Sequence, residues 1–156
     1  MKLSISRDSL LKPLQAVIGV VERRQTMPIL ANVLLVAKNG GLTVTATDLE
    51  VELIADAEDE EVGVAGEITL AGRQLLDITR ALADKSKVEL KLEGDRLVLK
   101  SGRSRFTLST LPAAEFPLVD KIDATSRLRL PQKDVARLLD NTQFSMAQQD
   151  VRYYLN

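Results

Sequence analysis

The chain has 156 residues, 45% hydrophobic and 28% charged, with a net charge of −1 and neither cysteine nor histidine. That length supports one disulfide-free core plus part of another, and no apolar run is long enough to span a bilayer. Near-neutral charge gives no global basic field, so any nucleic-acid binding must come from arginines and lysines gathered on one face.

Met1–Ile5 turns polar at once and lacks the apolar core of a secretory signal, so the expected compartment is the cytoplasm. Leu3 and Ile5 alternate as a strand, and Leu10, Leu11, Leu14, Val17, Ile18 and Val21 follow the stripe of an amphipathic helix. Pro13 removes a helix hydrogen bond unless it falls in the first turn after a cap at Asp8 or Ser9, which predicts a late start or a bend. Leu42–Thr47 alternates after the turn residues Asn39-Gly40-Gly41, and Val51–Ala57 reads as the next strand. The acidic run Glu58-Asp59-Glu60-Glu61 reads as solvated surface.

At Ile68, Leu70 and Leu75 the opening spacing returns, with a second helix carrying Leu75, Leu76, Ile78 and Leu82. Val88–Leu92 and Leu97–Leu99 flank the turn Glu93-Gly94-Asp95, and Phe106–Leu108 supplies a further strand. Each unit therefore reads strand, helix, then about three strands. Two such units predict an α+β domain with its helices on one side of an antiparallel sheet.

Pro112, Pro117 and the polar stretch 120–126 form a connector, after which Leu128, Leu130 and Val135 repeat the spacing once more. A strand Arg127–Leu130, a helix Gln132–Asn141 and an apolar run Val151–Leu155 are expected there. Residues 1–122 are thus expected to form a complete domain, and 123–156 the truncated start of a second.

Catalytic chemistry has little to work with: there is no Gly-rich phosphate loop, no nucleophile elbow and no thiol or imidazole. One enzymatic reading is a metal-dependent phosphodiesterase, because Asp48, Glu50 and Glu52 alternate and would share a strand face; the plainer reading is a wet strand face. Opposite the apolar stripes lie Lys12, Arg73, Arg80, Lys133 and Arg137, with Lys12 and Arg137 at matching repeat positions. A row of parallel helices presenting them would attract phosphates without reading bases, although Asp77 and Asp140 dilute the pattern.

Four blocks carry a resemblance: Pro28-Ile29-Leu30-Ala31-Asn32, Thr47-Asp48-Leu49-Glu50, Ser101–Ala114 and Gln143–Asn156. Across its whole length the chain resembles the beta subunit of bacterial DNA polymerase III, the replication sliding clamp. The resemblance implies a DNA-clamp fold and a non-catalytic processivity factor, two chains closing head to tail around duplex DNA. Partners would be duplex DNA, and the polymerase and clamp-loader subunits through a peptide cleft. No cofactor or metal is implied. It places Arg24, Gln149, Tyr153 and Tyr154 at DNA, Arg152 and Leu155 at the cleft, and Arg96, Arg103, Arg105, Phe106 and Leu108 at the dimer interface, on an arginine-studded edge strand. A peptide-binding adaptor without a DNA role is the remaining alternative.

Overall fold

Ser6 ends the first strand and begins the first helix in the computed structural model, which describes residues 1–21, 27–38, 41–57, 60–119 and 125–147. β1 (Lys2–Ser6) buries Leu3 and Ile5 on one face. The Ser6 hydroxyl accepts from the Ser9 amide at 3.0 Å and so caps α1 (Arg7–Val17). Leu10, Leu14 and Val17 of α1 are at most 1% exposed, each contributing about 1.5–3 kcal/mol by burial. Contrary to the expected late start, Pro13 lies mid-helix, and burial of its ring offsets part of the lost hydrogen bond. The helix gives way to a 3-10 turn at Ile18–Val20 before Val21 is reached.

β2 (Asn32–Lys38), β3 (Gly41–Thr47), β4 (Glu52–Asp56) and β5 (Glu60–Val64) follow; the second repeat supplies β6 (Gly66–Ala71), α2 (Gly72–Ala81), β7 (Lys87–Glu93), β8 (Arg96–Ser101) and β9 (Ser104–Leu111). All nine strands pair antiparallel in the order β4-β3-β2-β6-β9-β8-β7-β1-β5. The order contains the repeat twice, as β4-β3-β2-β6 and β9-β8-β7-β1. In each half three consecutive strands end on the opening strand of the other repeat. Leu3 lies opposite Leu90 and Ile5 opposite Val88; Val33 lies opposite Leu70 and Leu35 opposite Ile68. Neither repeat completes its sheet alone, so the two fold as one core.

The seam between the halves is two residue pairs long, Thr69 with Leu111 and Leu70 with Thr110. Asn32 Nδ2 donates to Thr69 Oγ1 at 3.2 Å, and that hydroxyl donates to the Leu111 carbonyl at 3.2 Å. A smaller core of Ile29, Leu30, Leu34 and Phe116 covers the outer face of β2. Two glycines are required by the backbone around them. Gly102 adopts φ +56° in the β8–β9 hairpin, a conformation open to glycine without Cβ strain. At Gly72 a Cβ would stand 2.7 Å from Val33 Cγ1, so α2 can approach β2 only without one.

α1 and α2 pack side by side. They run in opposite directions rather than as the expected parallel row, since each helix's first turn meets the end of the other: Arg7 reaches Thr79 and Arg80, and Arg73 reaches Val21.

The chain divides into two compact units, Met1–Asp120 and Lys121–Asn156. In the second, α3 (Gln132–Asp140) forms where expected, but Arg127–Leu130 is not a strand. A strand needs a partner to donate to, and the described residues of this unit supply none. Val135, Leu138 and Leu139 remain 36%, 55% and 61% exposed.

Candidate nucleic-acid interface and strand edge

The helix face comes first. Lys12 on α1 and Arg80 on α2 are exposed on the sides of their helices away from the buried stripe, and neither has an ion-pair partner among the described residues. Asp77 shares the α2 surface and weakens the local field. Arg73 is different. Its Nε donates to the Val21 carbonyl at 3.1 Å and its Nη2 to the same oxygen, so one side of its fork holds the end of the first helical segment. Lys133 and Arg137 are exposed on α3 in the second unit. Arg24, Gln149, Arg152, Tyr153, Tyr154 and Leu155 lie outside the described residues.

Arg7 went unremarked in the sequence. Its Nε donates to the Thr79 carbonyl at 3.2 Å and its Nη2 to the Arg80 carbonyl at 3.2 Å, while Nη1 pairs with Asp8 at 2.8 Å and Asp84 at 3.2 Å. It satisfies the last carbonyls of α2 and places a positive charge at the negative end of that helix. The available signal was its position at the first residue after a strand, next to Asp8.

The carboxylates do not form a metal site. Asp48 lies in the β3–β4 turn, where its Oδ1 accepts from the amides of Glu50 at 3.0 Å and Val51 at 2.8 Å. Thr47 Oγ1 accepts from the Leu49 amide and donates to the Val51 carbonyl, fixing Leu49 at φ 81°. Glu52 accepts from the Val119 amide at 3.0 Å. The expected alternation along one strand thus fails because β4 begins only at Glu52, and among the described residues no cluster of three candidate ligands could hold a metal ion.

β9 is a partial edge. It pairs with β8 from Ser104 to Ser109, yet only Thr110 and Leu111 reach β6, so among the described residues the other side of residues 104–109 faces no strand. Arg96, Arg103 and Arg105 are exposed along this corner. Glu93 pairs with Lys91 at 2.9 Å and Arg105 at 3.7 Å; the hydrogen bond and charge of Lys91, helped by Arg105 and Lys100, hold its carboxyl below the ordinary value of 4.5. Of the two apolar anchors expected here, Phe106 is half-buried against the core, whereas Leu108 is 2% exposed and belongs to it. β9 turns the Leu108 side chain beneath the sheet, into this domain's own core. Among the described residues no helix is long and apolar enough to cross a membrane.

Residues 1–120 match the family described as DNA polymerase III beta subunit, N-terminal domain. The chain is 51% identical over all 156 residues to the beta sliding clamp of Pseudomonas putida, covering 42% of that protein. It is 47% identical to the beta sliding clamp of Escherichia coli K12, covering 43% of it. The crystal structure of the DNA polymerase III subunit beta from Pseudomonas aeruginosa superimposes on the whole chain with a TM-score of 0.94 at 49% identity, covering 42% of that structure. The chain therefore spans about two fifths of the length of the relatives it matches.

Proposed function

This chain belongs to the DNA polymerase III beta subunit family, and we propose that it supplies the first domain and the opening of the second domain of a sliding clamp that encircles duplex DNA. In this reading residues 1–122 are the complete clamp domain and 123–156 the start of the next. The observation that carries the proposal is the unbroken match of all 156 residues to sliding clamps at about half identity. Residue chemistry agrees: exposed Lys12 and Arg80 offer phosphates two cations that have no ion-pair partner among the described residues.

The clamp acts without catalysis in the cytoplasm, tethering a polymerase by topology and needing no cofactor. Arg24 pairs with phosphate, while Gln149, Tyr153 and Tyr154 contact exposed nucleotide at the ring face. Arg137 offers phosphate a cation within the second unit; in the first unit Arg73 adds charge to the helix face while acting mainly as a helix tie. Arg152 and Leu155 form part of the cleft for polymerase and clamp-loader peptides. Arg96, Arg103, Arg105 and Phe106 line the head-to-tail homodimer contact, with Leu108 supporting Phe106 from below.

Because a clamp holds DNA mainly by enclosure, the isolated chain keeps only a few phosphate contacts and binds duplex weakly. Fluorescence anisotropy with labelled duplex tests this: binding at physiological salt should be weaker than micromolar and fall steeply as salt rises. Salt-independent binding, or sub-micromolar affinity at physiological salt, would contradict it.

A further inference from the structure

The outer face of β2, β3 and β4 is only half covered. Ile29, Leu30 and Phe116 close it over Leu34, and beside them a groove of about 520 Å³ stays open, floored by Leu34, Val36, Thr43 and Thr45 and lined by Leu118 of the connector. That volume lies in the range of clefts that hold ligands. Strand alternation puts Ile54 on the same face, opposite Thr45, because Leu53 and Ala55 pack toward the core. Ile54 and Leu118 are each 60% exposed, so two large apolar side chains stand in water where the face is open.

Side-chain hydrogen bonds hold the groove in shape. Glu52 Oε2 accepts from the Val119 amide at 3.0 Å and so ties the connector, next to Leu118, to β4. Thr43 Oγ1 donates to Asp56 Oδ1 at 2.8 Å, which fixes that exposed carboxylate and leaves its second oxygen for another donor. Charge on this side is one-signed: residues 48–61 contain eight acids and no base, and among the described residues Lys38 is the one base lining the groove.

We propose that this groove docks an extended segment of another protein, in which two apolar side chains at alternate positions are flanked by arginine or lysine. The segment lies across the face of the sheet, its apolar pair covering Ile54 and Leu118 and its basic flanks meeting Asp56 and the neighbouring acids. A second copy of this chain fits worse, because it would bring one acidic run against another. The contact is small and charge-assisted, hence weak and salt-sensitive. The groove shares no residue with the helix face, the β9 edge or the peptide cleft assigned above, so the proposal does not depend on those assignments.

The probe is fluorescein-labelled Arg-Arg-Ile-Thr-Leu-Arg, amidated at its C-terminus, titrated with the chain and followed by anisotropy at low and physiological salt. It should bind saturably. Arg-Arg-Ser-Thr-Ser-Arg keeps the charge without the apolar pair, and Glu-Glu-Ile-Thr-Leu-Glu keeps the pair with the charge reversed; each should bind at least about tenfold more weakly. Leu118→Ser and Ile54→Ser, both at exposed positions, should each weaken the probe at least about fivefold. Asp56→Lys should weaken it and strengthen the acidic peptide, whereas Asp77→Lys on α2 should change neither, which separates the groove from general attraction to an acidic chain. Amide resonances of Thr43, Thr45 and Leu118 should shift on binding. With every variant folded by circular dichroism, any one of the following overturns the proposal: no saturable binding, equal binding of Arg-Arg-Ser-Thr-Ser-Arg, indifference to both serine variants, shifts confined to other residues, or sedimentation in which the wild-type chain dimerises and Leu118→Ser does not.

Discussion

Arg7, the first residue of α1, donates its Nε proton to the carbonyl of Thr79 in the last turn of α2, 3.2 Å away. Arg73, in the first turn of α2, returns the contact at Val21, beyond α1. Two helices related by the internal repeat are thus tied at both ends by arginines.

Arg7→Met should lower unfolding free energy by about 1–3 kcal/mol, because two helix-end carbonyls lose a charged donor and Asp84 loses its partner. Arg73→Met should act in the same direction. Urea titrations check both; unchanged midpoints would mean the ties are incidental.

Leu108→Ala should cost about 2–5 kcal/mol, as for a buried leucine, and Phe106→Ala clearly less. The reverse ranking would restore Leu108 to the surface role that the sequence implied.

Asp48→Ala should destabilise the β3–β4 turn by about 1–2 kcal/mol, since two amides lose their acceptor beside a left-handed Leu49. It should leave nuclease assays unchanged, because the chain is expected to cut no DNA with magnesium or manganese. Metal-dependent cleavage abolished by Asp48→Ala would reverse the non-catalytic reading.

Lys91 keeps the folded Glu93 carboxyl ionised below its ordinary value of 4.5. A depressed carboxylate contributes stability that is present above its unfolded value and is lost as pH falls through the folded one. Wild type should therefore exceed Glu93→Gln slightly at neutral pH, and the gap should close in acid and in high salt. Thermal melts across pH measure it; a gap that widens in acid would give the wrong sign.

The strands with clean alternation, Leu42–Thr47 and Val88–Leu92, were legible because apolar side chains meet the core on one face; the other face carries threonines in the first strand, with Thr45 and Thr47 themselves buried, and charged residues in the second. β2 was not, because Leu34 and Val36 face the second small core under Phe116 and the sequence there reads as a continuous apolar run. β5 hid in the acidic run, where strand pairing with β1 overrides composition. Lys12 and Arg80 were legible as exposed helix charge. Arg73's carbonyl partner and Arg7's role were not, because both join residues more than fifty apart in the chain.

The second unit should be the less stable. Val135, Leu138 and Leu139 form an apolar face that its own described residues leave exposed, and a helix this short is marginal alone. Hydrogen exchange in a dilute monomer should be faster across Leu128–Leu139 than in β2 and β8. Equal protection would show the unit fully folded.

The central claim, that these 156 residues are the leading part of a DNA-encircling clamp, is tested most directly by exchange. The matching segment of the Pseudomonas putida beta sliding clamp is replaced by this chain, and the purified chimera is assayed for loading onto primed circular DNA and processive synthesis. The account predicts a dimeric chimera that loads and supports long products. A folded, dimeric chimera that neither stays on circular DNA nor lengthens the products would contradict it.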